Sequence, residues 1–130
     1  MDLVVARDFA ANAPHRTCGL GEVSDDEMIL DAGPQTVAIL ASALDVANTL
    51  VWNGPLGAFE LTPFDTATVQ AAQAAGTRCK SGALIAVAGG GDTVAALNHA
   101  HVAQDFTHIS TAVARFLNGW KANPFPESRR

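Results

Sequence analysis

The stretch Ala83–Leu97, ALIAVAGGGDTVAAL, decides the fold of this chain. An apolar run meets three consecutive glycines, and an alanine-rich segment follows Asp92 and Thr93. This pattern predicts a buried strand, Ala83–Ala88, that enters a helix, Asp92–Ala100, through a turn without side chains. Glycine N–H groups can close on an anion, and the N-terminus of a helix adds a favourable dipole. The stretch therefore favours a phosphate-binding turn and the chemistry of nucleotides or phosphoryl groups.

Strands and helices alternate along the rest of the chain. Further strands are predicted at Leu3–Ala6, Thr49–Trp52 and Thr107–Ser110, further helices at 33–47 (with Pro34 in the first turn) and 65–75 (ended by Gly76), and a polar loop at 12–27. Because the strands are continuous apolar runs, they indicate a parallel sheet covered on both faces. We therefore expect an α/β fold with a parallel sheet flanked by helices, in a Rossmann-like three-layer arrangement. Ligands of such folds gather at the carboxyl ends of the strands.

Composition and charge narrow the class of protein. The chain has 130 residues, 48% of them hydrophobic and 16% charged, which suits one folded domain or a piece of one. We expect a cytoplasmic protein without a membrane partner, because no apolar run reaches bilayer length and no signal peptide opens the chain. Cys18 and Cys79 are then expected as free thiols. Residues 1–112 hold twelve acids and four bases, which argues against nucleic acid as a partner. The cations that a phosphoryl-transfer site needs must therefore come from a metal or from another piece of protein.

The individual motifs leave alternatives open. The glycine turn is neither a dinucleotide fingerprint, since Val94 stands where the last glycine belongs, nor a Walker A loop, since no lysine follows. Its glycines suit close packing of a helix as well as phosphate binding. Asp92 is either the N-cap of the helix or a ligand of phosphate-bound Mg²⁺, and its spacing alone favours the cap. Asn53 is a common turn residue, and Glu60 is either a ribose contact or a solvated side chain.

Taken together, these stretches resemble the phosphoglycerate kinase family. LVWNGPLGAFE (50–60) resembles the family pattern V-x-W-N-G-P-x-G-x-F-E, the glycine turn with Asp92 and Thr93 resembles G-G-G-D-T, and 107–111 resembles a strand ending in H-x-S-T. DAGP (31–34) resembles the D-x-G-P helix opening, although the basic residue usual after that proline is Gln35 here. The resemblance covers residues 1–112 and implies an incomplete, carboxyl-terminal nucleotide-binding domain.

The resemblance also implies an activity and a set of site residues. The family transfers a phosphoryl group between 1,3-bisphosphoglycerate and ADP, or between ATP and 3-phosphoglycerate, with Mg²⁺, in glycolysis, and is usually monomeric. It implies that Glu60 binds ribose, that Asn53 lies beside the ADP or ATP, and that Gly90 and Gly91 line the site by backbone. It gives Asp92 the metal–phosphate role and places Thr93 close by. No catalytic residue is assigned.

Two departures from the family pattern bear on activity. The amino-terminal domain that holds 3-phosphoglycerate and the phosphate-contacting lysine of the nucleotide domain have no counterpart, so the chain is expected to be nearly inert alone. After Ala112 the family continues roughly G-G-A-F-L-E, whereas residues 113–130 read VARFLNGWKANPFPESRR. Residues 113–128 can be encoded by a permitted choice of codons for which one guanine inserted in front shifts the reading frame. The shifted frame reads GGAFLEWMEGKPLPGV, a family-like ending. We therefore predict that 113–130 is a frameshifted tail, which the encoding DNA tests.

Three hypotheses remain open on the sequence. The first is a fragment of a phosphoglycerate kinase, a kinase by family with little or no activity alone. The second is a non-catalytic remnant that only binds ADP or ATP. The third is an unstable product without a role, because strands removed from a parallel sheet leave apolar surface uncovered and prone to association.

Overall fold

A computed structural model describes residues 1–109 of the chain, and this part contains six strands and three helices. They are β1 (Asp2–Ala6), β2 (His15–Gly19), β3 (Met28–Ala32), α1 (Pro34–Val46), β4 (Thr49–Trp52), α2 (Thr66–Lys80), β5 (Ile85–Ala88), α3 (Gly91–His99) and β6 (His108–Ile109). The predicted α/β fold with a parallel sheet and flanking helices is confirmed. Among these residues no helix has the length and apolar character needed to cross a membrane. The predicted tail at 113–130 lies outside the described residues.

The parallel sheet has the strand order β4-β5-β6. Trp52 at the end of β4 pairs with Ala88 at the end of β5, and Ala88 pairs in turn with Ile109. The carboxyl ends of all three strands therefore meet at one edge of the sheet. This is the edge at which parallel sheets bind ligands.

The main core lies on one face of this sheet. Leu50, Trp52, Ala86 and Ala88 alternate along β4 and β5 and face residues of all three helices, among them Leu44, Ala71, Ala72, Ala75 and Leu97. The intervening residues Val51 and Ile85 point to the other face and are 54% and 55% exposed. The continuous apolar strands predict that helices cover both faces of the sheet. Within residues 1–109 the helices cover only one face.

The first three strands form a separate antiparallel sheet, which corrects two predictions. Leu3–Ala6 was expected in the parallel sheet, but β1 pairs antiparallel with β2 and β3 in the order β2-β1-β3. The polar loop expected at 12–27 contains β2, which has no apolar pattern because Cys18 is its one buried residue. An ion pair stabilises this hairpin region: Arg16 donates to Glu27 at 2.8 Å, and that hydrogen bonding holds the pKa of Glu27 at about 2.

A carboxylate from β1 caps helix α1. The helix begins at Pro34 as predicted, with Gly33 as its N-cap. The N–H groups of Gln35 and Thr36 donate to the carboxylate of Asp2 at 3.2 Å and 2.8 Å. Burial alone would raise the pKa of Asp2, but these hydrogen bonds outweigh it and hold that pKa below its usual value. The cap therefore fixes α1 to the antiparallel sheet.

Helix α2 runs through Gly76 instead of ending there. It continues to Lys80, with Ser81 as its C-cap. Gly76 is buried against Val102, and a Cβ at Gly76 would lie 3.3 Å from the Cβ of Val102. The glycine therefore provides a close approach between α2 and the segment after α3, a packing role that the turn prediction did not anticipate.

Candidate functional site

The glycine turn joins β5 to α3 at the carboxyl edge of the parallel sheet. Gly90 is the N-cap of α3 and has φ 96°, in the left-handed region that favours glycine. Gly91 is the first helical residue, and a Cβ there would meet no atom within 4 Å. Because the first N–H groups of a helix have no partner inside the helix, the turn offers donors to an anion at this edge.

Asp92 lies in the first turn of α3 with an exposed side chain. The N-cap is Gly90, and no side chain makes a cap hydrogen bond, so the interpretation of Asp92 as the cap is wrong. Within residues 1–109 no group of three or more His, Cys, Asp or Glu side chains could hold a metal ion. Mg²⁺ is commonly bound by one or two carboxylates together with the phosphates of a nucleotide and water. A single exposed carboxylate beside a turn with free N–H donors fits that chemistry.

The turn after β4 is tied to the first turn of α3. The N–H of Gly54 donates to the hydroxyl of Thr93 at 2.6 Å, and the indole N–H of Trp52 donates to the carbonyl of Gly54. Gly54 has φ 113°, again in the region that favours glycine. Asn53, directly before it, is exposed. The hydrogen bond therefore brings the Asn53 turn against the glycine turn, as their common position at the strand ends predicts.

The far end of the same loop lies near the other end of α3. Phe59 is buried, and its ring packs edge-on against that of His99 with the centroids 6.2 Å apart. His99 is the last residue of α3, and its Nε2 donates a 2.8 Å hydrogen bond to the carboxylate of Asp65. Glu60 follows Phe59 and is exposed. The axial rise of α3 separates its two ends by about 12 Å, so Glu60 is set apart from the glycine turn along α3.

A buried acid under this loop is not predicted from the sequence. Asp31 is 3% exposed; its Oδ2 accepts the N–H of Ala67 at 3.0 Å, and its Oδ1 has no hydrogen-bond partner among the described residues. Burial raises the pKa of Asp31 to about 6, and the charge of Asp65 adds to the rise. Gly57 covers Oδ1 so closely that a Cβ there would lie 2.4 Å away. The D-x-G-P motif was interpreted only as a helix opening, and nothing local in it indicates this burial.

An apolar groove of about 260 Å³ runs beside the loop. Its lining is mostly hydrophobic and comes from β1, the segment after β1, β3 and the loop, including Leu3, Phe9, Ile29, Leu56 and Ala58. Small-molecule sites are typically apolar clefts with a few polar groups at their margins. The groove adds an apolar surface next to the segment that carries Asn53 and Glu60.

The structure places the predicted site residues in two groups. Asn53, Gly90, Gly91, Asp92 and Thr93 lie at the carboxyl edge of the parallel sheet, whereas Glu60 lies toward the C-terminal end of α3. Thr93 differs from the expectation in one respect, because its side chain is buried and its hydroxyl is engaged by Gly54. The third strand end, at 110–111, lies outside the described residues.

Known proteins match this chain over nearly all of its length. Phosphoglycerate kinase of Xanthobacter autotrophicus is 59% identical over 126 residues, which are 97% of this chain and 32% of that protein. The Brucella abortus phosphoglycerate kinase is also 59% identical, with the same coverage. The chain thus spans about a third of the length of these curated relatives.

Solved structures of phosphoglycerate kinases also match this chain. The phosphoglycerate kinase of Coxiella burnetii superposes with a TM-score of 0.79 at 35% identity, over 85% of this chain and 28% of that one. The enzyme of Pyrococcus horikoshii gives a TM-score of 0.66 at 26% identity, over 85% and 26%. The family model for phosphoglycerate kinase matches residues 1–120 and so extends past Ala112, where the frameshift stays a prediction. The chain belongs to the phosphoglycerate kinase family.

Proposed function

We propose that this chain binds ADP or ATP with Mg²⁺ at the carboxyl edge of its parallel sheet, as the nucleotide-binding part of a phosphoglycerate kinase. The observation that carries the proposal is the Gly54–Thr93 hydrogen bond, which joins two strand-end turns into one surface beside the open N-terminus of α3. In the whole enzyme that surface would serve reversible phosphoryl transfer between 1,3-bisphosphoglycerate and ADP. The same role implies a cytoplasmic protein of glycolysis.

Each predicted residue other than Thr93 has a direct role in this proposal, and Thr93 lies close by with its hydroxyl accepting the N–H of Gly54. The backbone of Gly90 and Gly91 and the N-terminus of α3 would bind phosphate oxygens. Asp92 would hold Mg²⁺, which bridges phosphate oxygens and neutralises their charge when bound. Asn53 would lie beside the nucleotide, and Glu60 would accept hydrogen bonds from the ribose hydroxyls. The proposed phosphate contacts lie at one end of α3, and Glu60 lies toward its other end. This arrangement suits an elongated ligand.

The apolar groove offers a surface for the purine base of the nucleotide. It lies against the loop residues Leu56, Gly57 and Ala58, between Asn53 and Glu60 in the chain. A purine has apolar faces and buries them favourably against hydrophobic side chains. We therefore place the base in or next to this groove.

Transfer of the phosphoryl group needs more than this chain is proposed to supply. The chain spans about a third of its relatives, and 3-phosphoglycerate would be held by the amino-terminal domain that the resemblance places outside it. In-line phosphoryl transfer depends on positioning and on charge neutralisation. We therefore propose that the chain binds nucleotide but turns over little or no substrate by itself.

Calorimetry with Mg-ADP tests the binding proposal. We expect Asp92→Ala to weaken Mg-ADP binding by at least about tenfold, a change of 1.4 kcal/mol or more in binding free energy. Asp45→Ala is the matched control, since Asp45 is an exposed acid on α1 far along the chain from the turn. Equal affinity of the Asp92 variant and the wild type would contradict the metal role. Absence of Mg-ADP binding by the wild type would contradict the proposed function itself.

A coupled assay separates the fragment from a complete enzyme. We expect little or no turnover of 3-phosphoglycerate and ATP by the purified chain at saturating Mg-ATP. Turnover at rates typical of kinases, about 1 to 100 per second, would contradict the proposal that this chain lacks half of the transfer site.

A further inference from the structure

Two buried threonine hydroxyls hold the backbone of the loop after β4. Thr93 on α3 is 1% exposed and accepts the N–H of Gly54 at 2.6 Å. Thr68 on α2 is fully buried and accepts the N–H of Leu56 at 3.1 Å. The two helices thus reach the same loop, two residues apart, through side chains of the same type.

This use of threonine differs from its ordinary behaviour in a helix. A helical threonine often directs its hydroxyl to a carbonyl of its own preceding turn, as Thr77 does to Gln73 at 3.0 Å. Thr68 and Thr93 instead accept from backbone N–H groups of a distant segment, 12 and 39 residues away in the chain. Their hydroxyls therefore contribute contacts between elements.

Removal of either hydroxyl would leave a loop N–H without its partner. Both hydrogen bonds are partly buried, so a donor that loses its acceptor there carries a desolvation cost until the loop moves and reaches water or another acceptor. The loop is also fixed at Ala58, whose N–H donates to the carbonyl of Leu30 at 2.8 Å. The two threonines therefore control the part of the loop nearest the glycine turn.

We infer that Thr68 and Thr93 are positioning residues, which set the loop bearing Asn53 and Glu60 against the glycine turn for nucleotide binding. On this inference Thr93 acts on the loop through its hydrogen bond with Gly54. The consequence for binding rests on the proposed function, whereas the positioning of the loop does not. The two are therefore tested by separate measurements.

Amide hydrogen exchange tests the positioning without any ligand. In the wild type we expect slow exchange at Gly54 and Leu56. Thr93→Val should accelerate exchange at Gly54, and Thr68→Val at Leu56, each about tenfold or more relative to the amide of Leu97 in the core. A general loss of stability would accelerate all of these amides together. Fast exchange of Gly54 and Leu56 in the wild type would overturn the inference.

Serine variants and a distant threonine provide the controls. Thr93→Ser and Thr68→Ser keep the hydroxyl and should keep the loop amides protected. Thr77→Val makes the same change on the exposed part of α2 and should alter neither amide. If a valine variant does not fold, the serine variants decide the matter, since rapid exchange at the loop amides in a folded serine variant contradicts the inference.

Calorimetry then tests the consequence for the nucleotide. Thr93→Val should weaken Mg-ADP binding about tenfold, and Thr93→Ser should restore it. When Asn53→Ala and Glu60→Ala are already present, the same valine change should have a smaller further effect, because the loop has then lost its two polar contacts with the nucleotide. An equal loss in both backgrounds contradicts action through the loop. No binding by the wild type contradicts the proposed function alone, since the exchange data still decide the positioning.

Discussion

Replacement of the buried acid Asp31 by asparagine should stabilise the protein at neutral pH. The carboxyl is 3% exposed, one of its oxygens has no hydrogen-bond partner among residues 1–109, and burial raises its pKa from 3.8 to about 6. Asparagine keeps an acceptor for the N–H of Ala67 and removes the charge. The variant therefore isolates the cost of burying an ionised carboxylate under the loop.

The sign and size of the effect follow from proton linkage. Because the folded protein binds the proton more tightly than the unfolded chain, protonation of Asp31 adds stability that is complete below pH 3.8 and is lost as the pH rises through about 6. A shift of about two pKa units corresponds to about 3 kcal/mol. Asp31→Asn should thus raise the free energy of unfolding by about 2 to 3 kcal/mol near neutral pH and by much less near pH 4.

Urea unfolding at a series of pH values measures this difference directly. The wild type and Asp31→Asn are compared at each pH, so that titration of the other acids cancels. Asp45→Asn, at an exposed position on α1, is the control and should leave the difference near zero throughout. A pH-independent difference, or a variant less stable than the wild type near neutral pH, would refute the reasoning.

Three further changes test other contacts. Gly57→Ala should lower the free energy of unfolding by about 1 to 3 kcal/mol, because the new Cβ would lie 2.4 Å from Oδ1 of Asp31; Gly21→Ala, with no atom within 4 Å, should change it by less than about 0.5 kcal/mol. Asp2→Ala should lower it by about 1 to 2 kcal/mol through loss of the α1 cap, and this cost should shrink in acid, since the lowered pKa confines the loss of the cap to pH values below 3.8. Unchanged urea midpoints of the Gly57 and Asp2 variants would contradict these two predictions. Ile85→Lys, on the uncovered face of the parallel sheet, should reduce concentration-dependent self-association in sedimentation velocity, and equal association would exclude this face as its cause.

The sequence predicts the parts of the fold whose signals are local. The apolar runs of β4 and β5, Pro34 at the start of α1 and the glycines between β5 and α3 each determine the conformation of their own segment. The site edge follows from them, since parallel strands end together. For this reason the sequence alone predicts that Asn53, Gly90 and Asp92 lie at one edge.

The remaining features depend on contacts that are distant in the chain. Asp2 caps α1 from 33 residues away, so the cap has no sequence pattern near Pro34. β2 is a strand because it pairs with β1, although its own residues are mostly polar. Thr93 was expected near the nucleotide from the motif alone, and only the packing of α3 against the β4 turn shows that its hydroxyl is buried and engaged.

The distribution of positive charge supports the proposal that this chain binds nucleotide without efficient phosphoryl transfer. Residues 1–109 contain four Arg and Lys side chains, and each is engaged away from the glycine turn: Arg7 with Asp26, Arg16 with Glu27, Lys80 with Asp105, and Arg78 with carbonyls that end α1.

Arg78 and Lys80 lie in the last turn of α2, which leads into the first residue of β5 and therefore to the edge of the sheet opposite the turn. Backbone N–H groups and one carboxylate remain at the turn itself. On the proposed function they would hold a metal-bound diphosphate, since the metal brings its own charge. They do not neutralise the charge that spreads over a phosphoryl group in transfer, for which side-chain cations are the usual source. We therefore expect binding without efficient turnover from this part of the chain.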